Sequence, residues 1–205
     1  IETTNNAIYE NIEVVRGATG LLNGAGNPAA TVNLIRKRAN SRTFTGEVSA
    51  HTGSWNNYGL SADISAPLTQ SGDVRGRVVL QHQQADSFID LEKTESSTLY
   101  AVIDTDLSEN TQFSIGASYQ KDDRDGIYWG GLPRWFSDGT HTNWDRSKTT
   151  STYWARWNTE EVTVFLNLAH QFANGWDVRF SANHYRQDEL SELPWVIGYP
   201  DVNTG

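Results

Sequence analysis

The amino-acid sequence predicts an all-β fold of long antiparallel strands, of the kind that forms a barrel across a membrane. Three observations predict it: apolar and polar residues alternate with period two, each alternating run is about ten residues long, and short connections alternate with long ones. A tilted strand needs about 9–11 residues to cross the hydrocarbon layer, whereas strands of soluble proteins average about five or six. The run lengths therefore favour the membrane barrel.

The composition excludes several classes of function. The chain has 205 residues, with 16 Lys and Arg against 25 Asp and Glu, which gives a net charge of -9. Nucleic acid is not expected as a partner, because phosphate binding needs a basic surface. The absence of Cys excludes disulfides, thiolate catalysis and Cys-based metal sites. The chain also has no Met and begins with Ile1, so we expect it to be an excerpt of a longer protein.

Residues 1–40 differ from the rest, because they alternate only over short stretches. They predict two short strands, at 12–15 and 31–36, on either side of a glycine-rich run at 17–28. The run has the glycines of a phosphate-binding loop but lacks the Gly-Lys-Ser/Thr that would hold phosphate and magnesium. The glycines are therefore assigned to tight turns and close packing.

Seven alternating runs fill residues 41–205, and each has one apolar side. In residues 161–168, for example, apolar side chains occupy the even positions and mostly polar ones the odd positions. Because lipid surrounds a membrane barrel, the apolar sides are predicted to point to lipid. The seven runs cover residues 43–52, 57–68, 74–81, 98–104, 112–119, 161–168 and 176–185.

The connections carry the second part of the argument. Short turns rich in Gly, Asn, Ser and Asp are predicted at 68–73, 107–110 and 173–175, and longer loops at 86–97 and 121–160. The short link at 53–56 does not fit this alternation. Bacterial single-chain barrels have an even number of strands, so the seven strands cannot close a barrel, and further strands are expected beyond Gly205.

Several stretches closely resemble one family. Residues 12–28 read Ile-Glu-Val-Val-Arg-Gly-Ala-Thr-Gly-Leu-Leu-Asn-Gly-Ala-Gly-Asn-Pro, and 31–38 read Thr-Val-Asn-Leu-Ile-Arg-Lys-Arg. Together they resemble the end of the plug domain of TonB-dependent outer-membrane receptors, above all the ferric-siderophore group of the pyoverdine and coprogen type. Ser-Ala-Pro-Leu at 65–68 and Tyr-Trp-Gly-Gly-Leu-Pro-Arg at 128–134 are also similar to that group, and the resemblance covers essentially all 205 residues.

The resemblance implies an antiparallel barrel of about 22 strands in the outer membrane of a Gram-negative bacterium. Residues 1–40 would be the C-terminal end of an α+β plug domain, and residues 41–205 the first seven barrel strands. The implied function is energy-dependent uptake of a ferric siderophore driven through TonB, with outer-membrane lipid as a further partner. Iron would arrive chelated within the siderophore, so no cofactor and no protein metal site are expected. Two alternatives stay open: a plugless porin, and a soluble carbohydrate-binding β-sandwich.

No motif in the sequence indicates an enzyme or a metal centre. A Gly-x-Ser-x-Gly nucleophile motif and a His-Glu-x-x-His zinc motif are both absent, and the five histidines lie far apart. The acidic stretch 122–126 is weakly similar to a calcium loop but lacks the ligand spacing and the terminal Glu. We therefore predict neither a catalytic residue nor a metal ligand.

Aromatic residues concentrate in the loop predicted at 121–160, which contains five of the eight tryptophans. An exposed loop gains little from so much aromatic surface unless the rings meet a partner or pack under other loops. If they meet a partner, they suit a bulky chelate with conjugated or hydroxamate groups. The predicted ligand contacts are Tyr128, Trp129, Arg134, Trp135, Trp154 and Trp157.

Overall fold

The computed structural model describes residues 5–17 and 30–203. In this part of the chain, one turn of 3-10 helix, Asn6–Ile8, precedes nine β-strands in two antiparallel sheets. The strands are β1 (Tyr9–Arg16), β2 (Ala30–Arg36), β3 (Thr45–Gly53), β4 (Asn57–Pro67), β5 (Val74–Asp86), β6 (Lys93–Ser108), β7 (Thr111–Asp125), β8 (Arg156–Gln171) and β9 (Asp177–Glu192). In the described part of the chain, no helix is long and apolar enough to cross a membrane.

The first two strands form a sheet of their own. β1 and β2 pair antiparallel, and the register shifts between Tyr9 and Asn11, which leaves Glu10 in a β-bulge. Both strands predicted in residues 1–40 are present: β1 has 8 residues, twice the predicted length, and β2 is one residue longer than predicted. Most of the glycine-rich run at 17–28 lies outside the described residues, and the division of the chain at residue 40 stays a prediction.

The other seven strands form a single sheet. Each strand from β3 to β9 pairs antiparallel with the next along the chain, as in the wall of an up-and-down barrel. The predicted number of strands is confirmed for the described residues. The alternative of a carbohydrate-binding sandwich is wrong, because these seven strands form one continuous sheet. A sandwich needs two sheets packed face to face over an apolar core.

The two faces of this sheet have the opposite character to those of a soluble sheet. On one face, here called the outer face, apolar side chains are exposed, with Val48 70% and Leu60 58% accessible. On the other, the inner face, Asp104 and Ser114 are each only 1% accessible. Apolar groups outside and polar groups inside suit a wall surrounded by lipid. In β4 to β8 the exposed large apolar side chains lie on the predicted apolar side, whereas β3 and β9 are largely exposed on both sides.

The strands from β5 to β9 are longer than the alternation predicts, whereas β3 and β4 are each one residue shorter. β6, β8 and β9 have 16 residues each. As a result, the loop predicted at 86–97 shrinks to 87–92 and the loop predicted at 121–160 shrinks to 126–155. Beyond the hydrocarbon layer neither face needs to be apolar, so the alternation ends while backbone hydrogen bonds continue to pair the strands.

The connections distinguish two ends of the sheet. The short-turn end carries connections 68–73, 109–110 and 172–176, and the long-loop end carries 54–56, 87–92 and 126–155. The segment 193–203 follows β9 at the long-loop end. Exposed Phe44, Phe172 and Trp176 lie at the short-turn end, where the aromatic residues of a barrel meet the membrane interface.

A small apolar cluster joins the N-terminal segment to the inner face. It comprises Ile8, Ala39, Val79, Tyr100, Val102 and Phe165. The Tyr100 and Phe165 rings stack with their centroids 6.2 Å apart, and the Arg36 guanidinium lies 4.8 Å from the Phe165 centroid. The space for the Phe165 ring exists because residue 116 is Gly, where a Cβ atom would overlap that ring. The N-terminal segment therefore lies against the inner face, an arrangement that a plugless porin lacks.

Candidate ligand-binding site at the long-loop end

The connections at the long-loop end contact one another in chain order. The Asp86 amide donates to the Trp55 carbonyl at 2.8 Å, which ties β5 to the link 54–56. The Asp90 amide donates to the Ser147 carbonyl at 2.8 Å, which joins loop 87–92 to loop 126–155. The Ser137 amide donates to the Pro200 carbonyl at 2.9 Å, which joins loop 126–155 to the segment 193–203. The long loop is therefore held in place from both sides.

Loop 126–155 begins at a position that requires glycine. Gly126 has a φ of +67°, and its amide donates to the Ala155 carbonyl at 2.9 Å, which closes the base of the loop. A Cβ atom at this position would overlap the backbone of Leu91 in the neighbouring loop. Only a residue without a side chain allows the two loops to approach so closely.

Several aromatic side chains of the loop pack against other residues of the same loop. Trp135 and His141 form an isolated β-bridge, and their ring centroids lie 3.7 Å apart. Trp144 donates from Nε1 to the Pro133 carbonyl at 2.8 Å and lies with its ring 5.9 Å from that of Phe136. These residues build a hairpin within the loop. Trp135 therefore contacts its own loop, whether or not it also contacts a ligand.

The tip of this hairpin is fixed by an acidic side chain. The Thr140 amide and hydroxyl both donate to Asp138 Oδ1, at 2.9 and 2.7 Å. These hydrogen bonds lower the pKa of Asp138, so the carboxylate stays charged well into acidic conditions. Arg134 lies at the base of the hairpin, where its carbonyl accepts from the Thr142 amide at 3.0 Å and the residue is exposed.

Two of the predicted residues come together at the inner face. The Trp129 and Trp157 ring centroids lie 6.2 Å apart with an interplanar angle of 35°. Trp157 belongs to β8, so its predicted placement in the loop is wrong. The strand extends beyond the region in which polar and apolar residues alternate. It pairs across the ladder with Arg124 and shares its side of β8 with the buried Phe165. The two rings form an aromatic pair at the long-loop end.

A third tryptophan near this pair was not predicted. A Cβ atom added at Gly130 would lie 3.8 Å from the Trp195 ring, and the Trp129 amide donates to the Pro194 carbonyl at 3.4 Å. Trp195 follows β9, more than 60 residues away from Trp129 in sequence. The only sequence feature that could have identified Trp195 is that it is an aromatic residue outside the predicted strands.

The remaining predicted residues are not gathered into the same group. Tyr128 is half-buried beside Trp129 in sequence, and Trp154 is exposed immediately before the buried Ala155. No ring among the described residues stacks on Trp154. The six predicted residues thus occupy three places: the aromatic pair and its neighbour, the hairpin, and the end of the loop. Their role as ligand contacts stays a prediction.

The acidic stretch 122–126 does not form a calcium loop. It lies largely within β7, so Asp122 and Asp123 leave opposite faces of the sheet. In the part of the chain that the structure describes, no group of three or more His, Asp or Glu side chains could hold a metal ion.

The chain is similar to outer-membrane siderophore receptors over almost its whole length. No family model matches it. It is 43% identical over 193 residues, 94% of this chain, to the ferripyoverdine receptor of Pseudomonas aeruginosa. It is 38% identical over 187 residues, 91% of this chain, to the ferric-pyoverdine BN7/BN8 receptor of Pseudomonas putida. These matches cover 24% and 23% of the relatives, so the chain spans about a quarter of the length of the curated relatives it matches.

Solved structures agree with this relationship. The pyoverdine outer membrane receptor FpvA from Pseudomonas aeruginosa PAO1, bound to pyoverdine, matches 96% of this chain with a TM-score of 0.89 at 40% identity. The alcaligin outer-membrane receptor FauA from Bordetella pertussis matches 91% with a TM-score of 0.71 at 34% identity. The matches cover 29% and 27% of those chains. These relatives are receptors rather than enzymes, as predicted. The chain belongs to the family of TonB-dependent outer-membrane siderophore receptors.

Proposed function

We propose that the protein containing this chain takes up a ferric siderophore across the outer membrane, driven by energy that TonB delivers. The observation that carries the proposal is the Trp129 and Trp157 pair at the long-loop end, in a chain 43% identical to a ferripyoverdine receptor. The long-loop end is the external side in this proposal, and the N-terminal segment on the inner face is the end of the plug.

The ligand is proposed to be a bulky ferric chelate with conjugated or hydroxamate groups. Two indole rings 6.2 Å apart offer an apolar surface on which such groups can stack or make edge contacts. Iron would enter already chelated, so the protein would need no iron ligands of its own. Because two of the relatives above are ferric-pyoverdine receptors, ferric pyoverdines are the first compounds to test.

The proposed sequence of events has two steps. The loops and the aromatic pair capture the chelate at the external side. Energy from TonB then rearranges the plug, so that the chelate passes along the inner face of the barrel. A diffusion porin would need neither step, because small solutes would cross an open channel.

Uptake of radioactive iron by cells expressing the full-length receptor tests the proposal. The cells lack their own siderophore receptors and receive ferric pyoverdines, a ferric hydroxamate, a ferric catecholate or ferric citrate. The proposal expects saturable uptake of at least one siderophore and its loss in a strain without TonB. Uptake that is unsaturable and independent of TonB would contradict the proposal and favour the porin.

A further inference from the structure

The long loop at 126–155 gains little rigidity from its own backbone. It is well beyond the length of about 12–15 residues above which loops without helices or strands are uncommon. Its strand-like pairing is the isolated β-bridge between Trp135 and His141. If the loop moved freely, a ligand that bound Trp129 would have to fix the loop at a large cost in conformational entropy. Contacts from outside the loop are therefore important for holding Trp129 beside Trp157.

Residues 87–92, here called the support loop, join β5 to β6 and are closed by hydrogen bonds of their own. The Ser87 amide donates to the Glu92 carbonyl at 3.0 Å, and the Glu92 amide donates to the Ile89 carbonyl at 3.3 Å. The Ile89 amide donates to the Ser87 hydroxyl oxygen at 3.1 Å. These three bonds give the support loop a defined shape.

The support loop is also fixed to the first hairpin of the wall. The Phe88 ring meets the Trp55 ring edge to face, with centroids 6.5 Å apart and planes at 63°. The Asp86 amide donates to the Trp55 carbonyl at 2.8 Å, and the Asp86 carboxylate accepts from Asn56 Nδ2 at 2.6 Å. The support loop therefore rests on a hairpin that belongs to the wall.

One side of the support loop fits the base of the long loop. Leu91 has a φ of +71°, a backbone conformation that a bulky residue adopts only where its surroundings impose it. Gly126 lies directly against the Leu91 carbonyl group, and a Cβ atom at residue 126 would overlap it. The Gly126 amide donates to the Ala155 carbonyl at 2.9 Å, which joins the two ends of the long loop. The support loop and the base of the long loop thus fix each other.

A second contact holds the returning arm of the long loop. The Arg146 guanidinium lies 5.3 Å from the centroid of the Phe88 ring, within the range of a cation–π interaction. The Asp90 amide donates to the Ser147 carbonyl at 2.8 Å, and the Ser147 hydroxyl donates to Asp90 Oδ2 at 3.3 Å. Phe88 therefore contacts the wall hairpin on one side and the long loop on the other.

These two contacts bear on the aromatic pair through a short piece of chain. Trp129 lies three residues after Gly126, and the Ile127 carbonyl between them accepts from the Ser151 hydroxyl at 2.7 Å. Trp157 belongs to β8 and is fixed by the wall. Fixing the base and the returning arm therefore fixes Trp129 relative to Trp157. A receptor in which this arrangement is populated only part of the time binds its ligand more weakly by that fraction.

We propose that the support loop preorganises the long loop for siderophore binding, so that Phe88, Asp90 and Leu91 are positioning residues for the aromatic pair. The support loop carries none of the six predicted ligand contacts, and it acts through Gly126, Arg146 and Ser147. The inference rests on the proposed function, because it concerns the affinity for the ligand of that function.

The first test changes the ring that joins the wall hairpin to the long loop. Phe88→Ala in the full-length receptor removes the contacts with Trp55 and Arg146, and should weaken equilibrium binding of a ferric pyoverdine by about fivefold. Phe88→Tyr keeps the ring and should bind within about twofold of the parent. Both variants are first shown by urea unfolding to be folded.

The second test uses two glycines of the long loop that both have a positive φ. Gly126→Ala forces the long loop away from the Leu91 backbone and should weaken binding by about tenfold. Gly139→Ala is the matched control. Its φ of +85° disfavours a side chain as the φ of +67° at Gly126 does, but a Cβ atom there meets no atom within 4 Å. Its affinity should stay within about twofold of the parent.

A third measurement reports the position of the long loop without any ligand. Spin labels are attached to Gly131→Cys in the long loop and Asn174→Cys in the turn at the opposite end of the sheet, and this chain has no other cysteine. Pulsed electron paramagnetic resonance then gives the distribution of distances between the labels. The distribution should be narrow in the parent and in Phe88→Tyr, and broad in Phe88→Ala and Gly126→Ala.

A broader distribution together with weaker binding supports the proposal. An unchanged distribution in both Phe88→Ala and Gly126→Ala would overturn it. Weaker binding without broadening would also overturn it, since Phe88 would then act on the ligand directly, and so would broadening with unchanged affinity. Failure of the proposed function would appear separately, as a parent receptor that binds none of the ferric siderophores, while the label distances still show whether the support loop holds the long loop.

Discussion

The two faces of the seven-stranded sheet are built from the same strands but follow opposite rules. On the outer face Val48 and Leu60 are exposed, whereas on the inner face Asp104 and Ser114 are buried and bonded. A soluble protein would bury the first pair and expose the second. The comparison teaches that the medium each face meets, lipid outside and plug inside, decides which residues it carries.

The largest expected effect comes from placing a charge on the outer face. Leu166→Arg, in the apolar part of β8, should destabilise the full-length receptor by about 2–4 kcal/mol, because lipid solvates a guanidinium poorly. Asn167→Arg, on the inner face, should cost much less. Reversible urea unfolding from lipid vesicles measures both. Equal losses would contradict the assignment of the faces.

A second position on the outer face tests how the cost of a charge depends on depth in the membrane. Val178 alternates with polar residues in the sequence, but it is the second residue of β9 and lies close to Trp176. It therefore belongs near the membrane interface, where Val178→Arg should cost only about 0–1 kcal/mol. A loss of stability as large as that of Leu166→Arg would mean that Val178 lies deep in the hydrocarbon layer and not near the membrane interface.

The next effect concerns packing on the inner face. Gly116→Ala should destabilise the receptor by about 1–3 kcal/mol, because the new methyl would overlap the Phe165 ring and lie 2.7 Å from the Ala101 carbonyl oxygen. Gly131→Ala is the control, since a methyl there meets open space. The same unfolding measurement should separate the two variants, and indistinguishable stabilities would mean that the inner face is not tightly packed.

These contrasts show how far the sequence predicts the fold. Period-two alternation identified all seven strands and their apolar side, because lipid imposes that alternation directly. It missed the strand ends at residues 93–97, 121–125 and 156–160, where nearly all side chains are polar. Trp157 was assigned to a loop for this reason.

The inner face was less predictable than the outer one. Asp63, Arg75 and Asp104 occupy the polar side of their strands, but their partners lie in residues 37–42, between 26 and 66 positions away. No local pattern links residues at such separations. For the same reason Trp195 could not be connected with Trp129 before the loops were placed in space.

The aromatic pair carries the next prediction. The double variant Trp129→Ala with Trp157→Ala should weaken binding of the ferric siderophore by at least tenfold, about 1.4 kcal/mol. The reason is the loss of two apolar ring surfaces at the long-loop end. Equilibrium binding to the full-length receptor in detergent measures the change. Trp176→Ala, at the short-turn end, should leave affinity unchanged, and unchanged affinity in the double variant would assign the pair to packing only.

A small effect concerns the hydrogen bond between Tyr100 and the segment 37–42, which joins β2 to β3. Tyr100→Phe removes the donor to the Lys37 carbonyl but keeps the ring that stacks on Phe165. It should destabilise the receptor by about 0.5–1.5 kcal/mol. Tyr153→Phe, at a fully exposed loop position, should change nothing. A Tyr100→Phe receptor as stable as the parent would mean that this bond does not help to hold residues 37–42 on the inner face.

The most direct test of the central claim follows the two faces along one strand. Spin labels are placed singly at residues 162–168 of β8 in the full-length receptor in lipid vesicles, and collisions with oxygen and with a water-soluble nickel complex are compared. Oxygen concentrates in lipid, so labels at 162, 164, 166 and 168 should collide with oxygen, and labels at 163, 165 and 167 should be shielded from it. Accessibility without period two, or with the odd positions facing lipid, would contradict the account.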